Sequence, residues 1–205
     1  SIEPDFSAAW YNRGCAHDEL GNYDRAIADY TRALEHEPRC ETCFNRALAF
    51  RKLDEHDRAI DDFNRALEFN PRFVKAYNNR ANAHADLQQS DRALRDYSAA
   101  IELDPGYADA LYNRGLLHSE QGRLPEAIDD YNCCLGLDPE SSEAWNNRGA
   151  AYAELGDYNQ AICDFNRALD IDPDNATARE NRSRALEHRK CRFSRRRSSA
   201  AGRAG

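Results

Sequence analysis

From residue 142 to 175 the apolar positions fall into two stretches with helical spacing. Trp145, Gly149 and Tyr152 stand at i, i+4 and i+7 and make one face of a first helix. Gly156-Asp157 breaks that run, and Ala161, Phe165, Ala168 and Leu169 mark the apolar side of a second helix. Pro173 ends it, because a proline pushes the residue before it out of helical conformation. Two helices this short cannot bury their stripes alone, so the pair needs neighbours of its own kind.

The chain supplies them. Pro38, Pro71, Pro105, Pro139 and Pro173 close five such units, at 7–39, 40–73, 74–107, 108–141 and 142–175. Every second helix carries alanine, three residues, then an aromatic: Ala26/Tyr30, Ala59/Phe63, Ala93/Tyr97, Ala127/Tyr131 and Ala161/Phe165. Three units have a glycine before the mid-unit turn, Gly21, Gly122 and Gly156. Residues 1–6 line up with the close of a further unit. Residues 176–192 keep the first-helix register but turn polar, as expected of a capping helix with a wet outer face. Residues 193–205 show no periodicity and read as a disordered basic tail.

An Asn-Arg pair occurs in every first helix and again in the cap. The asparagines are Asn12, Asn45, Asn79, Asn113, Asn147 and Asn181, successive members 33 or 34 residues apart, and the arginines are Arg13, Arg46, Arg80, Arg114, Arg148 and Arg182. Each second helix has an aspartate in matching register, at Asp29, Asp62, Asp96, Asp130 and Asp164. A repeated Arg with a repeated Asp suggests bidentate ion pairs between helices, whose breakage would strand a partly buried charge.

This period and these spaced residues resemble the tetratricopeptide repeat family, over roughly residues 7–186. The resemblance implies an all-α fold, a right-handed superhelical solenoid of antiparallel helix pairs with a C-terminal capping helix. It also implies that the sixth residue of each first helix points into a concave groove and that the seventh packs between helices. The six asparagines are then the groove set, with Tyr11, Phe44 and Tyr112 beside them, and the arginines are structural. The arrangement is similar to the asparagine ladder in the repeats of O-linked N-acetylglucosamine transferase, which holds extended polypeptide. A carboxamide pairs with both the N–H and the C=O of a peptide, whatever side chain the guest carries. With helices ~8–10 Å apart and an extended chain rising ~3.3 Å per residue, one Asn meets roughly every third guest residue. The competing reading is that each Asn satisfies polar groups inside its own helix. The family's clamp for chaperone C-termini fits poorly, since only Asn45 and Lys75 match its pattern.

Charge narrows the partner. Residues 1–175 hold 18 Lys and Arg against 34 Asp and Glu, while 176–205 hold 10 against 2. An acidic body repels polyanions, so nucleic acid is not expected on the repeats. The groove positions Glu19, Glu41, Asp86, Asp109, Glu120, Glu143 and Glu154 favour an extended protein or peptide segment that is neutral or basic. No apolar run is long enough for a membrane span. Seven cysteines, odd in number and scattered through the repeat, suggest a reducing, cytoplasmic setting, or a nuclear one if Arg195-Arg196-Arg197 acts as a signal. The chain has no methionine, even at position 1, and reads as a fragment or processed product.

Other chemistry is sparse. Cys40 and Cys43 form a lone CxxC with no second pair to complete a zinc site. His17, His84 and His118 share one register but are spaced too far apart to share one ion. No metal, cofactor or catalytic set is expected, and no enzyme. The function expected is a scaffold that binds extended polypeptide. The alternatives are the targeting or regulatory repeats of a larger enzyme, or a self-assembly module whose tail or neighbour enters the groove.

Overall fold

Short amphipathic helices follow one another along the whole computed structural model, which describes residues 6–201, with side chains to residue 191. The expectation for 1–5, and those for the side chains of the tail, lie outside the described residues. The helices are α1 (Phe6–Glu19), α2 (Tyr23–His36), α3 (Cys40–Lys52), α4 (His56–Phe69), α5 (Val74–Asp86), α6 (Ser90–Leu103), α7 (Ala108–Glu120), α8 (Leu124–Leu137), α9 (Ser142–Glu154), α10 (Tyr158–Ile171) and α11 (Ala176–Ala201). No strand occurs among the described residues. The fold class is that expected, an all-α array of antiparallel helix pairs with a helix at its C-terminal end.

Two compact units divide the chain, residues 1–110 and 111–205. In the first, α1–α2, α3–α4 and α5–α6 pack as antiparallel pairs, and α2 also packs on α3 and α4 on α5. In the second, α9 packs on both α8 and α10, and α11 lies against α10 and α9. The sequence pattern explains this layering. Ala26, Ala59, Ala93, Ala127 and Ala161 are fully buried and let helices approach, while Tyr30, Phe63, Tyr97, Tyr131 and Phe165 fill the space beside them. In the first unit Ala47, Phe50, Phe63 and Leu67 form one cluster; in the second Ala161, Ile162, Phe165 and Ala185 form another.

The turn inside each pair needs a left-handed residue. Gly21, Gly122 and Gly156 take φ of 71°, 71° and 81°, a conformation open to glycine without steric cost. Asp54 and Gln88 hold the same place at φ 59°.

The backbones of α1 and α3, α3 and α5, and α9 and α11 approach within 8 Å, and among the described residues no two second helices of a unit do so. The first helices therefore line the inner, tighter side of each unit. One boundary departs from the sequence reading: α11 continues as helix to Ala201, beyond residue 192. Arginine and alanine are good helix formers, and neither Gly nor Pro interrupts before Gly202.

Candidate functional site

The asparagines of the Asn-Arg pairs lie on the first helices and α11, and their surroundings differ from repeat to repeat. The Asn45 amide donates to the Tyr11 hydroxyl at 3.0 Å and lies 3.9 Å from the Cys15 sulfur. In the second unit the Asn147 amide makes the same bond to the Tyr112 hydroxyl, again 3.0 Å. Asn146 then donates to Asn147 Oδ1, and Asn181 donates to Asn146 Oδ1, both at 3.1 Å. Asn45, Asn147 and Asn181 are thus each bonded to a side chain of a neighbouring repeat, while the Asn146–Asn147 bond lies within α9.

Asn79 is the exception. Its Oδ1 accepts from Arg51 at 3.0 Å, and its amide donates back to the Lys75 carbonyl at 2.8 Å, a bond within its own helix. Asn12 is exposed and Asn113 half-buried. Phe44 packs on Phe63 and Phe73, with ring centroids 5.7 and 4.7 Å away, so most of its face is taken by the core. Tyr11 and Tyr112 stand over Tyr30 and Tyr131 in the same manner.

The seventh residue turns the other way, between helices. Arg46 places Nε and a terminal nitrogen 2.6 and 2.7 Å from the two Asp62 oxygens. Arg13 with Asp29, Arg80 with Asp96, Arg114 with Asp130 and Arg148 with Asp164 repeat this fork, all at 2.6–2.9 Å. The aspartates are buried. The Arg13 hydrogen bond holds the Asp29 carboxyl below its ordinary range. Arg182 pairs with no aspartate among the described residues, and the sequence has serine at 198, where the other repeats have aspartate.

A third contact was not read from the sequence. The remaining guanidinium nitrogen reaches back to the preceding second helix: Arg46 to Thr31 at 2.9 Å, Arg80 to Asn64 at 2.6 Å, Arg148 to Asn132 at 2.7 Å and Arg182 to Asn166 at 3.0 Å. Each acceptor lies 15 or 16 residues before its arginine. A polar residue at that fixed offset was the available signal. One arginine therefore joins three helices.

The shared-register histidines pack beside these pairs. His84 and His118 are buried, with Nε2 3.9 and 3.8 Å from Asp96 and Asp130. Burial pushes both below the ordinary histidine range. Cys43 is buried too, and burial raises its thiol to about 11, which leaves it unreactive near neutrality. Cys40 donates to the Ala66 carbonyl at 3.4 Å. Among the described residues no group of three His, Cys, Asp or Glu is placed to hold a metal ion. No helix among them is long and apolar enough to cross a membrane.

Models described as tetratricopeptide repeat match residues 7–40, 41–73 and 142–175, and 78–132; one described as TPR repeat matches 119–156. The chain belongs to the tetratricopeptide repeat family. No curated protein matches its sequence. Among solved structures, this tetratricopeptide chain is similar to a MamA protein at 24% identity, covering 83% of this chain and 93% of that one, with a TM-score of 0.74. It is similar to YrrB, described as a TPR protein with an unusual peptide-binding site, at 22% identity, covering 88% and 94%, TM-score 0.72. It is likewise similar to MamA from Desulfovibrio magneticus RS-1, at 19% identity, covering 86% and 99%, TM-score 0.76. At these identities the likeness is one of fold. Membership of the tetratricopeptide repeat family makes the chain a protein-interaction scaffold in the broad sense.

Proposed function

We propose that the inner, first-helix face of each unit holds an extended polypeptide segment by its backbone. The observation that carries this is the partial use of the inter-repeat carboxamides. Asn45 and Asn181 donate to a neighbouring repeat, which fixes their orientation, while their carbonyl oxygens take no donor among the described residues. An oriented acceptor with spare capacity suits a guest N–H. Asn147 keeps one amide hydrogen beyond its bond to Tyr112. Asn79, held by Arg51 and by its own helix, contributes least.

The guest of the repeat faces is neutral or basic, since Glu41, Glu143 and Glu154 are exposed beside these positions. The peptide-binding site described for YrrB supports the reading at the level of the fold. Backbone hydrogen bonds at ~1 kcal/mol net each, offset by ordering of the guest, give affinity of order micromolar.

The test is selection from a random peptide library on the purified chain, beside an Asn45→Ala/Asn147→Ala variant of unchanged helicity. The parent should enrich peptides that the variant loses. Equal enrichment by both, or by neither, would remove the reading.

A further inference from the structure

Asn181 also borders a cavity of about 400 Å3 between α9, α10 and α11. Its walls are Ala150, Ala153 and Glu154 of α9, Tyr158 and Phe165 of α10, and Asn181, Arg184, Ala185 and His188 of α11. It exists because two groove positions of α9 are alanine. In the repeat frame the counterparts of Ala150 are Cys15, Leu48, Asn82 and Leu116, and those of Ala153 are Asp18, Arg51, Ala85 and Ser119. Only here do both lack a side chain beyond Cβ. Its volume is large enough for one aromatic side chain. One wall is already aromatic, the Tyr158 ring lying on His188 with centroids 5.5 Å apart and planes 9° from parallel.

The charges at the cavity are unspent. Neither Arg184 nor Glu154 forms an ion pair among the described residues, not even with each other. Arg184 sits on a basic helix: residues 176–191 hold Arg179, Arg182, Arg184, Arg189 and Lys190 against Glu180 and Glu187. The field on that side therefore favours an anion, and Asn181 adds a carboxamide beside it. Glu154 on the α9 wall works against it.

We propose that this cavity takes an aromatic side chain of a guest segment whose adjacent acidic side chain pairs with Arg184. The inference rests on the reading of the first-helix face as a peptide surface and deepens it. The repeat faces take the neutral or basic part of the guest, and the α11 end takes an aromatic-acidic element.

The experiment is a 1H–15N NMR titration of the full chain with the blocked peptide acetyl-Gly-Asp-Phe-Asp-Gly-amide. Controls replace Phe by Ala, both Asp by Asn, or both Asp by Lys; acetyl-Gly-Phe with a free carboxylate is a separate arm. Binding at about millimolar affinity should move amides of residues 150–165 and 181–188. Loss of the ring should weaken it roughly tenfold or more, and loss of the acids about twofold to fivefold. Ala153→Leu, checked for helicity, should abolish the shifts by filling the cavity. Arg184→Gln should weaken the Asp peptide without affecting the Asn peptide, and Glu154→Gln should tighten it.

Shifts elsewhere, equal binding of the Asp and Lys peptides, indifference to Ala153→Leu, or binding of the free-carboxylate peptide alone would overturn the proposal. If library-selected peptides bind and these probes do not, the cavity proposal fails while the groove reading stands. If no library peptide binds, the groove reading fails, and the titration still reports on the cavity.

Discussion

Arg46 and Arg13 make the same fork on an aspartate, but their side chains are 12% and 58% exposed. Arg46 is covered by the preceding repeat and bonded to Thr31, whereas no described helix lies before α1. The difference decides what each pair is worth. Asp62→Leu strands a desolvated guanidinium, and the cost should be about 3–5 kcal/mol in urea unfolding. The double variant Arg46→Met/Asp62→Leu should recover most of that, because both charges leave together. Asp29→Leu should cost much less, since Arg13 stays in water. A double variant as unstable as the single one would mean that the ion pair itself supplies the stability. Gly149 sets a second residue-scale test. A Cβ there would stand 2.8 Å from Phe165 Cε1. Repeats two and three carry Ala47 and Ala81 at this place against the same kind of ring, so the neighbour can yield. Gly149→Ala should therefore be close to neutral by the urea midpoint, because overpacking at its low end of about 1 kcal/mol is offset by a gain of about 1 kcal/mol for alanine over glycine inside a helix.

At the scale of the element, the helices were legible because each condition for one recurs five times. The alanine-aromatic spacing marks the buried face, and a proline follows the close. The turns were legible only where glycine marks them. Asp54 and Gln88 adopt the left-handed conformation because both neighbouring helices are fixed by packing, and tertiary context overrides local preference. That conformation costs a non-glycine residue roughly 1–2 kcal/mol, while glycine loses more entropy on folding. Gln88→Gly should thus stabilise the chain, by less than about 1 kcal/mol, and Asp54→Gly by less still, because aspartate tolerates this region better. A destabilised Gln88→Gly variant, by chemical denaturation, would show that the glutamine side chain contributes where it stands. The end of α11 was misplaced for a related reason: without apolar periodicity a helix built on propensity alone leaves little trace in the pattern.

Across the whole molecule, what could be read in advance was whatever is copied. The Asn-Arg register, the aspartates and the repeat itself are visible as period. The reach of the arginines to Thr31, Asn64, Asn132 and Asn166 left a trace only as a polar residue 15 or 16 places earlier, because the gap between neighbouring helices decides whether such a residue is met. The cavity beside Ala150 and Ala153 depends on side chains that are missing, and absence makes no motif. The histidines show the copied and the local together, and they set the pH response. Burial holds His84 and His118 below the ordinary histidine range, against the opposing pull of Gln89 and Asp96 on the first. In the unfolded chain both titrate near pH ~6.5. As the pH falls through that value the unfolded state takes up protons that the folded state resists. Stability is then full above the unfolded pKa and is lost as the pH falls toward the folded one. The Asp29 carboxyl, held low by Arg13, adds a loss of the same sign only in the acid range below ~4. The two windows are separate, so a comparison at pH 7.5 and 5.5 isolates the histidines. The urea midpoint of the parent should drop between those values, and His84→Phe/His118→Phe should flatten the drop, Phe50 being the natural occupant of that register in repeat two. An equal drop in both proteins would mean that burial does not oppose protonation at these sites, and the response would have to arise elsewhere in the chain.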